Sequence, residues 1–329
     1  MPGVTSADVA RESGVSRTTV SYVLNGTQGT AISEPTRQRV REAAARLGYA
    51  PSAAARTLRS GRSDLVLCIL PNWPIGPVID TLLDRLAGEL ATRGLTVLVH
   101  HGRDPRPLSE LWRAVTPRTV IGFTAFAPDE LRAMRQAGIQ VVGTRLDEST
   151  DDPTVYAVSQ SRIGRMQVEH LVARGHSRIG WAAPTDARVR EFAERRLAGV
   201  RAECADRGLP EPLVVDVDLE VDAAVRAVEA WRAGDEPVTA VAAYNDEVAI
   251  AVLAGLRALG LAAPGDLAVI GVDDTPAARL AAPPLTTVSQ SIEAQAAYLA
   301  AATLRALDGT DAPPHLPTDV LDVVVRDST

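Results

Sequence analysis

The chain has 329 residues, a net charge of −7, five histidines and two cysteines. No apolar run approaches the ~18 residues that span a bilayer, and the opening MPGVTSADVARES holds no apolar signal region, so membrane and exported classes are excluded as expectations. Cys68 and Cys204 are far apart, Cys68 inside an apolar run, which fits buried thiols of a reducing cytoplasm rather than a disulfide framework or a metal site.

The first predicted helix runs over Ser6 to Ser13, with Val9 and Ala10 inward and Thr5 placed to cap it; Gly14 suits the left-handed position that ends it. Ser16 then caps a second helix, Arg17 to about Leu24, with Val20, Val23 and Leu24 inward. Its outer side, Arg17, Thr18, Ser21 and Tyr22, is short and hydrogen-bonding, which suits the major groove of double-stranded DNA. The plain alternative is a helical hairpin that only packs. A third helix follows from Ser33 through Val40, Ala43, Ala44 and Leu47 to Gly48, with Pro35 in its first turn.

YAPSAAARTLRSGRS comes next, too short and Ala-rich to hold a core of its own, so any helix in it frays unless DNA orders it. Leu58 could wedge between base steps in the minor groove with Arg56 and Arg59 near phosphates; a plain linker is the other reading. Charge supports a division here. Residues 1–62 hold nine Arg against four Asp or Glu, in a chain that is acidic overall and contains no Lys. A basic head on an acidic body is an electrostatic footprint for phosphate.

From DLVLCILPN onward, strand-like and helix-like segments alternate: a helix from about Pro77 to Arg93, strand LTVLVHH, strand TVIGFTA, the helix of DELRAMRQAG, strand IQVVGT, the helix of QVEHLVARG, strand RIGWAA. VTAVAAYN, the helix of DEVAIAVLAGLRALG and LAVIGVDD continue it. This predicts an α/β body of parallel sheets covered by helices, and about 265 residues favour two doubly wound subdomains over one. The stripe of Leu82, Leu86 and Leu90 is either an interface or core packing.

Ligands of open parallel sheets sit beyond the carboxyl ends of the strands. The residues there are Asn72 and Trp73, Arg145 and Asp147, Tyr244, Asn245 and Asp246, and Asp273 and Asp274, with Arg196 at the start of a helix-like stretch near the same cleft. The set suits a polar small molecule, with Trp73 or Tyr244 available for stacking. Asp246 is expected to cap the following helix, Asp274 to cap or turn the chain, and Arg145 either to pair with Asp147 or to meet the ligand.

These segments resemble the lactose repressor/galactose repressor (LacI) family of bacterial transcription regulators over nearly all 329 residues. The likeness runs through VTSADVARESGVSRTTVSYVLNG and ISEPTRQRVREAAARLGYAPSAAARTLRSGRS to VEHLVARGHSRIGW, RRLAGV, AVAAYNDEVA and LAVIGVDD. It implies a helix-turn-helix head at 1–50, a hinge helix at 51–62 and a periplasmic-binding-protein-like body at 63–329. It places Ser16, Arg17, Thr18 and Asn25 on the reading helix, Ala55 and Leu58 in the minor groove, and Arg196, Asn245 and Asp273 on the effector. It also implies three crossings between subdomains, near 159, 289 and 319, so that one subdomain takes about 63–159 and 290–319 and the other about 160–289 and 320–329. Tyr22 departs from the family, standing where many members carry a guanine-reading Arg. VSQSRIG departs too, and there Ser159 and Gln160 would alter ligand choice.

No nucleophile elbow, phosphate loop with Lys or His-Glu-x-x-His helix is present, so catalysis, a cofactor and a metal are not expected. The expected function is a cytoplasmic, sequence-specific regulator, chiefly a repressor, that binds a palindromic operator as a homodimer under the control of a sugar-like effector. VLDVVVRDST carries no leucine heptad for a tetramer. A cytoplasmic solute-binding module without gene control is the alternative.

Overall fold

The computed structural model describes residues 4–25, 31–50, 63–103, 107–124, 126–145, 156–310 and 320–329, with backbone alone at 144, 145, 156 and 157. Contacts divide the chain into one unit of Met1–Asp64 with Val115–Pro117, and a second of Leu65–Ala114 with Arg118–Thr329. The expected minor-groove residues Ala55 and Leu58, and Asp147, lie outside the described residues.

The first unit is built on α1 (Ser6–Ser13), α2 (Arg17–Leu24) and α3 (Glu34–Arg46). Local signals fix their ends. The Asp8 carboxylate accepts the backbone N–H and the hydroxyl of Thr5, and Ser16 Oγ accepts from Thr19 N–H at 3.1 Å, so side chains tie the chain entering α1 and answer an exposed amide of α2. Gly14 closes α1 at φ 68°, a conformation that costs glycine nothing. Val9, Ala10, Val20, Val23, Val40, Ala43 and Ala44 form the small core.

In the second unit β1 (Leu65–Leu70), α4 (Pro77–Ala91), β2 (Thr96–His101), α5 (Leu108–Val115), β3 (Thr119–Gly122), α6 (Pro128–Gln136), β4 (Gln140–Arg145) and β5 (Tyr156–Ala157) form the first half. Among the described residues its sheet is parallel, in the order β2-β1-β3-β4-β5. The second half holds α7 (Gln160–Ala173), β6 (Ile179–Pro184), α8 (Arg190–Asp206), β7 (Leu213–Val217), α9 (Val221–Arg232), β8 (Ala240–Ala243), α10 (Asp246–Ala258), β9 (Ala268–Val272), α11 (Pro276–Leu280) and β10 (Thr286–Ser289). The chain then returns as α12 (Ile292–Asp308), which packs on α4, and ends in β11 (Asp322–Val324). β11 pairs antiparallel to β10 at one edge of a sheet ordered β11-β10-β9-β8-β6-β7.

Two apolar cores follow from the continuous runs of Val, Ile, Leu and Ala in the central strands. One gathers Val66, Cys68, Leu70 and Ile121 with Leu82, Leu86 and Leu90 of α4 and Leu299 of α12. The leucine stripe of α4 is therefore core, since the sheet and α12 cover it. The other core centres on Trp181, Trp231, Leu256 and Leu267. Cys68 and Cys204 are buried free thiols, and burial pushes them up to about 12 and about 11.

The closest helix packing joins α7 to α8. A Cβ at Gly164 would stand 2.0 Å from Arg196 O, and one at Gly199 would stand 1.9 Å from Ser161 O. Only glycine on each helix permits this approach, which sets Arg196 and Gln160 side by side.

Candidate functional site

On the head, Arg17, Thr18 and Tyr22 project outward from α2 while Val20 and Val23 are buried. Tyr22 is 39% exposed. Ser21 is half-buried, and Asn25, the C-terminal cap of α2, donates from Nδ2 to Ser21 O at 2.7 Å and to Ser21 Oγ at 3.0 Å. Thr5 and Ser16 serve as the caps already described, both exposed. Arg11, Arg41 and Arg46 meet Asp8, Glu34 and Glu12, whereas Arg17 has no ion-pair partner among the described residues.

The body holds a cleft lined from both halves, about 1130 Å³ including its open mouth. Its polar side carries Gln160, Arg196, Asn245, Asp273 and Gln290. Its apolar side carries Trp73, Ile79, Leu82, Phe123 and Phe192, so the cleft is more apolar than its strand-end residues alone suggested.

Arg196, 4% exposed, is held on three sides: Nε donates to Gln160 Oε1 at 2.9 Å, one terminal nitrogen donates to Tyr244 O at 2.6 Å, and the guanidinium lies 4.8 Å from the centre of the Tyr244 ring. Its other terminal nitrogen is 4.0 Å from Asp273 Oδ1. The residue sits in the middle of α8, which begins six residues before the predicted helix start, because the preceding turn at 187–189 winds directly into it.

Asp273 leaves β9 at φ 111° and Asp274 follows at φ 50°, both in the left-handed half that non-glycine residues seldom adopt. This turn sends neighbouring carboxylates apart. Asp273 enters the cleft and accepts from Gln290 Nε2 at 2.6 Å, while Asp274 accepts from Arg279 at 3.0 Å and pairs with Arg326. Burial raises the Asp273 carboxyl to about 7, with Arg196 pulling the other way.

Two expectations are corrected. Asn245, not Asp246, caps α10, its Oδ1 accepting from Val248 N–H at 3.0 Å. Asp246 is fully buried: Oδ2 accepts Thr275 N–H at 2.7 Å and the Thr275 hydroxyl at 3.0 Å, and Oδ1 accepts the Thr287 hydroxyl at 2.6 Å. Desolvation nevertheless lifts it to about 6. Asn72 does not line the cleft; it is exposed and accepts from Arg103 Nε at 3.2 Å. Arg145 ends β4, and its side chain is not among those described.

Trp73, Arg196, Tyr244, Asn245 and Asp273 do come together in the cleft. Phe123, Phe192 and Gln290 join them without having been singled out. Phe123 ends the apolar run of β3, a strand-end signal that could have found it; Phe192 and Gln290 carry no local signal. Among the described residues no group of three metal-ligating side chains occurs, and no helix is long and apolar enough to cross a membrane.

Comparison with known proteins gives this geometry a context. The profile described as "Bacterial regulatory proteins, lacI family" matches residues 5–52, and that of a periplasmic binding protein-like domain matches 168–329. Catabolite control protein A of Priestia megaterium is 30% identical over 295 residues, covering 87% of each chain. The chain belongs to the lacI family of bacterial regulatory proteins. The HTH-type transcriptional repressor PurR of Vibrio cholerae is also 30% identical, over 294 residues covering 87% of this lacI-family chain and 86% of the relative. Among solved structures, the lac repressor dimer bound to operator and the anti-inducer ONPF superposes with a TM-score of 0.79 at 25% identity, over 99% of both chains. A CelR–cellobiose complex superposes with a TM-score of 0.65 at 26% identity, over 99% of this chain and 100% of that one. As a lacI-family member the protein is a DNA-binding transcriptional regulator with a ligand-binding body.

Proposed function

We propose that this regulator is a repressor that binds a palindromic operator as a homodimer, with operator affinity set by a small molecule in the cleft of the body. The observation that carries the reading is the cleft itself: Arg196 and Asp273 on one side and the Trp73–Phe192 wall on the other, in a chain whose head presents Arg17, Thr18 and Tyr22. Thr5, Ser16, Ser21 and Asn25 shape or flank that reading helix, with Ala55 and Leu58 of the following segment in the minor groove. Trp73, Arg196, Tyr244, Asn245 and Asp273 contact the effector.

The chemistry of the cleft narrows the effector. Arg196 and Asp273 leave a donor and an acceptor side by side, which matches neighbouring hydroxyls or an amide edge, and their charges offset each other. The aromatic and aliphatic wall suits an apolar ring face. An uncharged ring compound of saccharide size is the class expected. The cellobiose in the CelR structure supports that size.

The body acts as two subdomains, about 63–159 with 290–319 and about 160–289 with 320–329, whose relative angle the ligand changes. Residues 51–62 carry that change to the head. A homodimer is favoured because one reading helix meets too few bases for useful selectivity.

Fluorescence anisotropy on near-palindromic DNA from upstream of the protein's own gene, beside a scrambled duplex and at two salt concentrations, tests the reading. Selective, salt-sensitive binding supports it; equal affinity for both duplexes at every salt overturns it.

A further inference from the structure

On the reading that the cleft is the effector site, we propose that Gln160 and Gln290 are positioning residues that tie the Arg196–Asp273 pair to the two places where the chain passes between the halves of the body.

The passage from β5 to α7 runs through Val158 and Ser159, and Gln160 is the first residue beyond it. The passage from β10 to α12 runs through Gln290 and Ser291, with Ser291 at φ 46°. Each glutamine is nearly sealed from solvent, at 2% and 6% exposure.

Each amide also meets one member of the same ion pair, and with opposite ends. Gln160 presents its carbonyl oxygen to Arg196 Nε at 2.9 Å and donates from Nε2 to Val158 O at 3.2 Å. Gln290 presents its Nε2 to Asp273 Oδ1 at 2.6 Å, and its backbone carbonyl accepts from Gln295 Nε2 at 2.8 Å. The 4.0 Å approach of Arg196 to Asp273 closes the series. A buried path of polar contacts thus runs from Val158 through Gln160, Arg196 and Asp273 to Gln290, whose backbone holds the half-buried Gln295.

The physical case rests on what an amide can do there. Glutamine offers an acceptor to a cation or a donor to a carboxylate without adding charge, and hydrogen bonds to ionised partners are the stronger kind in a low-dielectric site. A ligand that draws on the remaining donor of Arg196 or acceptor of Asp273 changes the hold of both glutamines together. Both passages feel one event. A role confined to local packing predicts instead that each glutamine matters only to its own passage.

Hydrogen exchange of the full-length protein without ligand or DNA separates the two, because it reads peptides over 156–163 and 288–295 independently. Gln290→Met keeps the volume and removes the amide; it is expected to speed exchange over 156–163 at least about fivefold, and Gln160→Met to do the same over 288–295. Leu219→Ala, exposed and outside the cleft, is expected to leave both unchanged. Asp273→Asn keeps an acceptor for Gln290 while removing the charge. It is expected to shift both passages in the same direction, and gives a second test if a methionine variant fails to fold. Changes confined to the mutated passage overturn the proposal. Since no effector enters the measurement, its failure would leave the effector reading standing, and failure of the DNA titration would leave this coupling standing.

Discussion

Trp73 and Phe192 meet edge to face across the cleft, with ring centroids 5.0 Å apart, one from the loop after β1 and the other from α8. Phe123 adds a second edge contact to Trp73 at 6.2 Å, and the ring of His101 bonds to the backbone Trp73 O at 2.8 Å, so Trp73 is held through both its ring and its backbone. The two halves of the body therefore share one aromatic contact at the place where a ligand would lie.

That contact makes Trp73 a reporter. Trp112, Trp181 and Trp231 are all buried, which leaves Trp73 as the partly exposed indole of the four. For any compound that raises the melting temperature, tryptophan emission is expected to change, and Trp73→Phe to abolish the change while thermal stabilisation persists. A full spectral response in Trp73→Phe would place the ligand elsewhere.

Asp273 gives a pH dependence of definite sign. Its folded carboxyl is raised from 3.8 to about 7, so between those values the folded state holds more protons than the unfolded state, and this group's contribution to stability falls as pH rises. Asp273→Asn removes that term. The stability of the variant relative to the wild type is expected to climb between about pH 4 and pH 7 and to level off on either side. Parallel melting curves for both proteins across that range would refute the assignment.

The glycine crossing of α7 and α8 predicts a large structural effect. In Gly199→Ala the new methyl meets the Ser161 carbonyl, a backbone atom that cannot turn away. A loss of about 3 kcal/mol or more is expected in denaturant unfolding. A loss under about 0.5 kcal/mol, typical of surface substitutions, would show that the helices part easily.

For the head, Arg17→Ala is expected to cost about 1–3 kcal/mol in specific binding if Arg17 reads a base. Tyr22→Ala is expected to broaden the selected sequences at one position of each half-site while nonspecific affinity stays the same. Selection from a randomised duplex pool reads both effects. An unchanged consensus for Tyr22→Ala would remove it from base reading.

What the sequence shows plainly is what short-range chemistry decides. Thr5, Gly14 and Ser16 mark the ends of α1 and α2 because capping is settled within four residues, and the structure has the same helix bounds. The strand-end rule reached Trp73, Tyr244, Asn245 and Asp273 for a similar reason, since parallel strands leave their final residues at one rim. Its failures are informative. Asn and Asp cap helices about equally well, so nothing local to the pair Asn245–Asp246 puts the cap on Asn245, and the buried partners of Asp246 at Thr275 and Thr287 are remote in sequence. Asn72 follows a strand yet turns outward to Arg103. Phe192 and Gln290 owe their places to packing between helices and to the return of the chain, which no window of neighbours encodes.

The path of the chain also sets a schedule for synthesis. The last strand of the first sheet ends at Ala157, but the core it shares needs Ile292, Ala296 and Leu299 of α12. At about 5–20 residues per second a ribosome takes roughly 7–30 s to supply them. The second sheet then waits for its edge strand and for Ser328, which donates to Val269 O at 2.6 Å and accepts from Thr286 N–H at 2.8 Å. A nascent first half must therefore stand with an apolar face uncovered while most of the second is being made, so ribosome-stalled chains ending before residue 292 are where chaperone capture should concentrate.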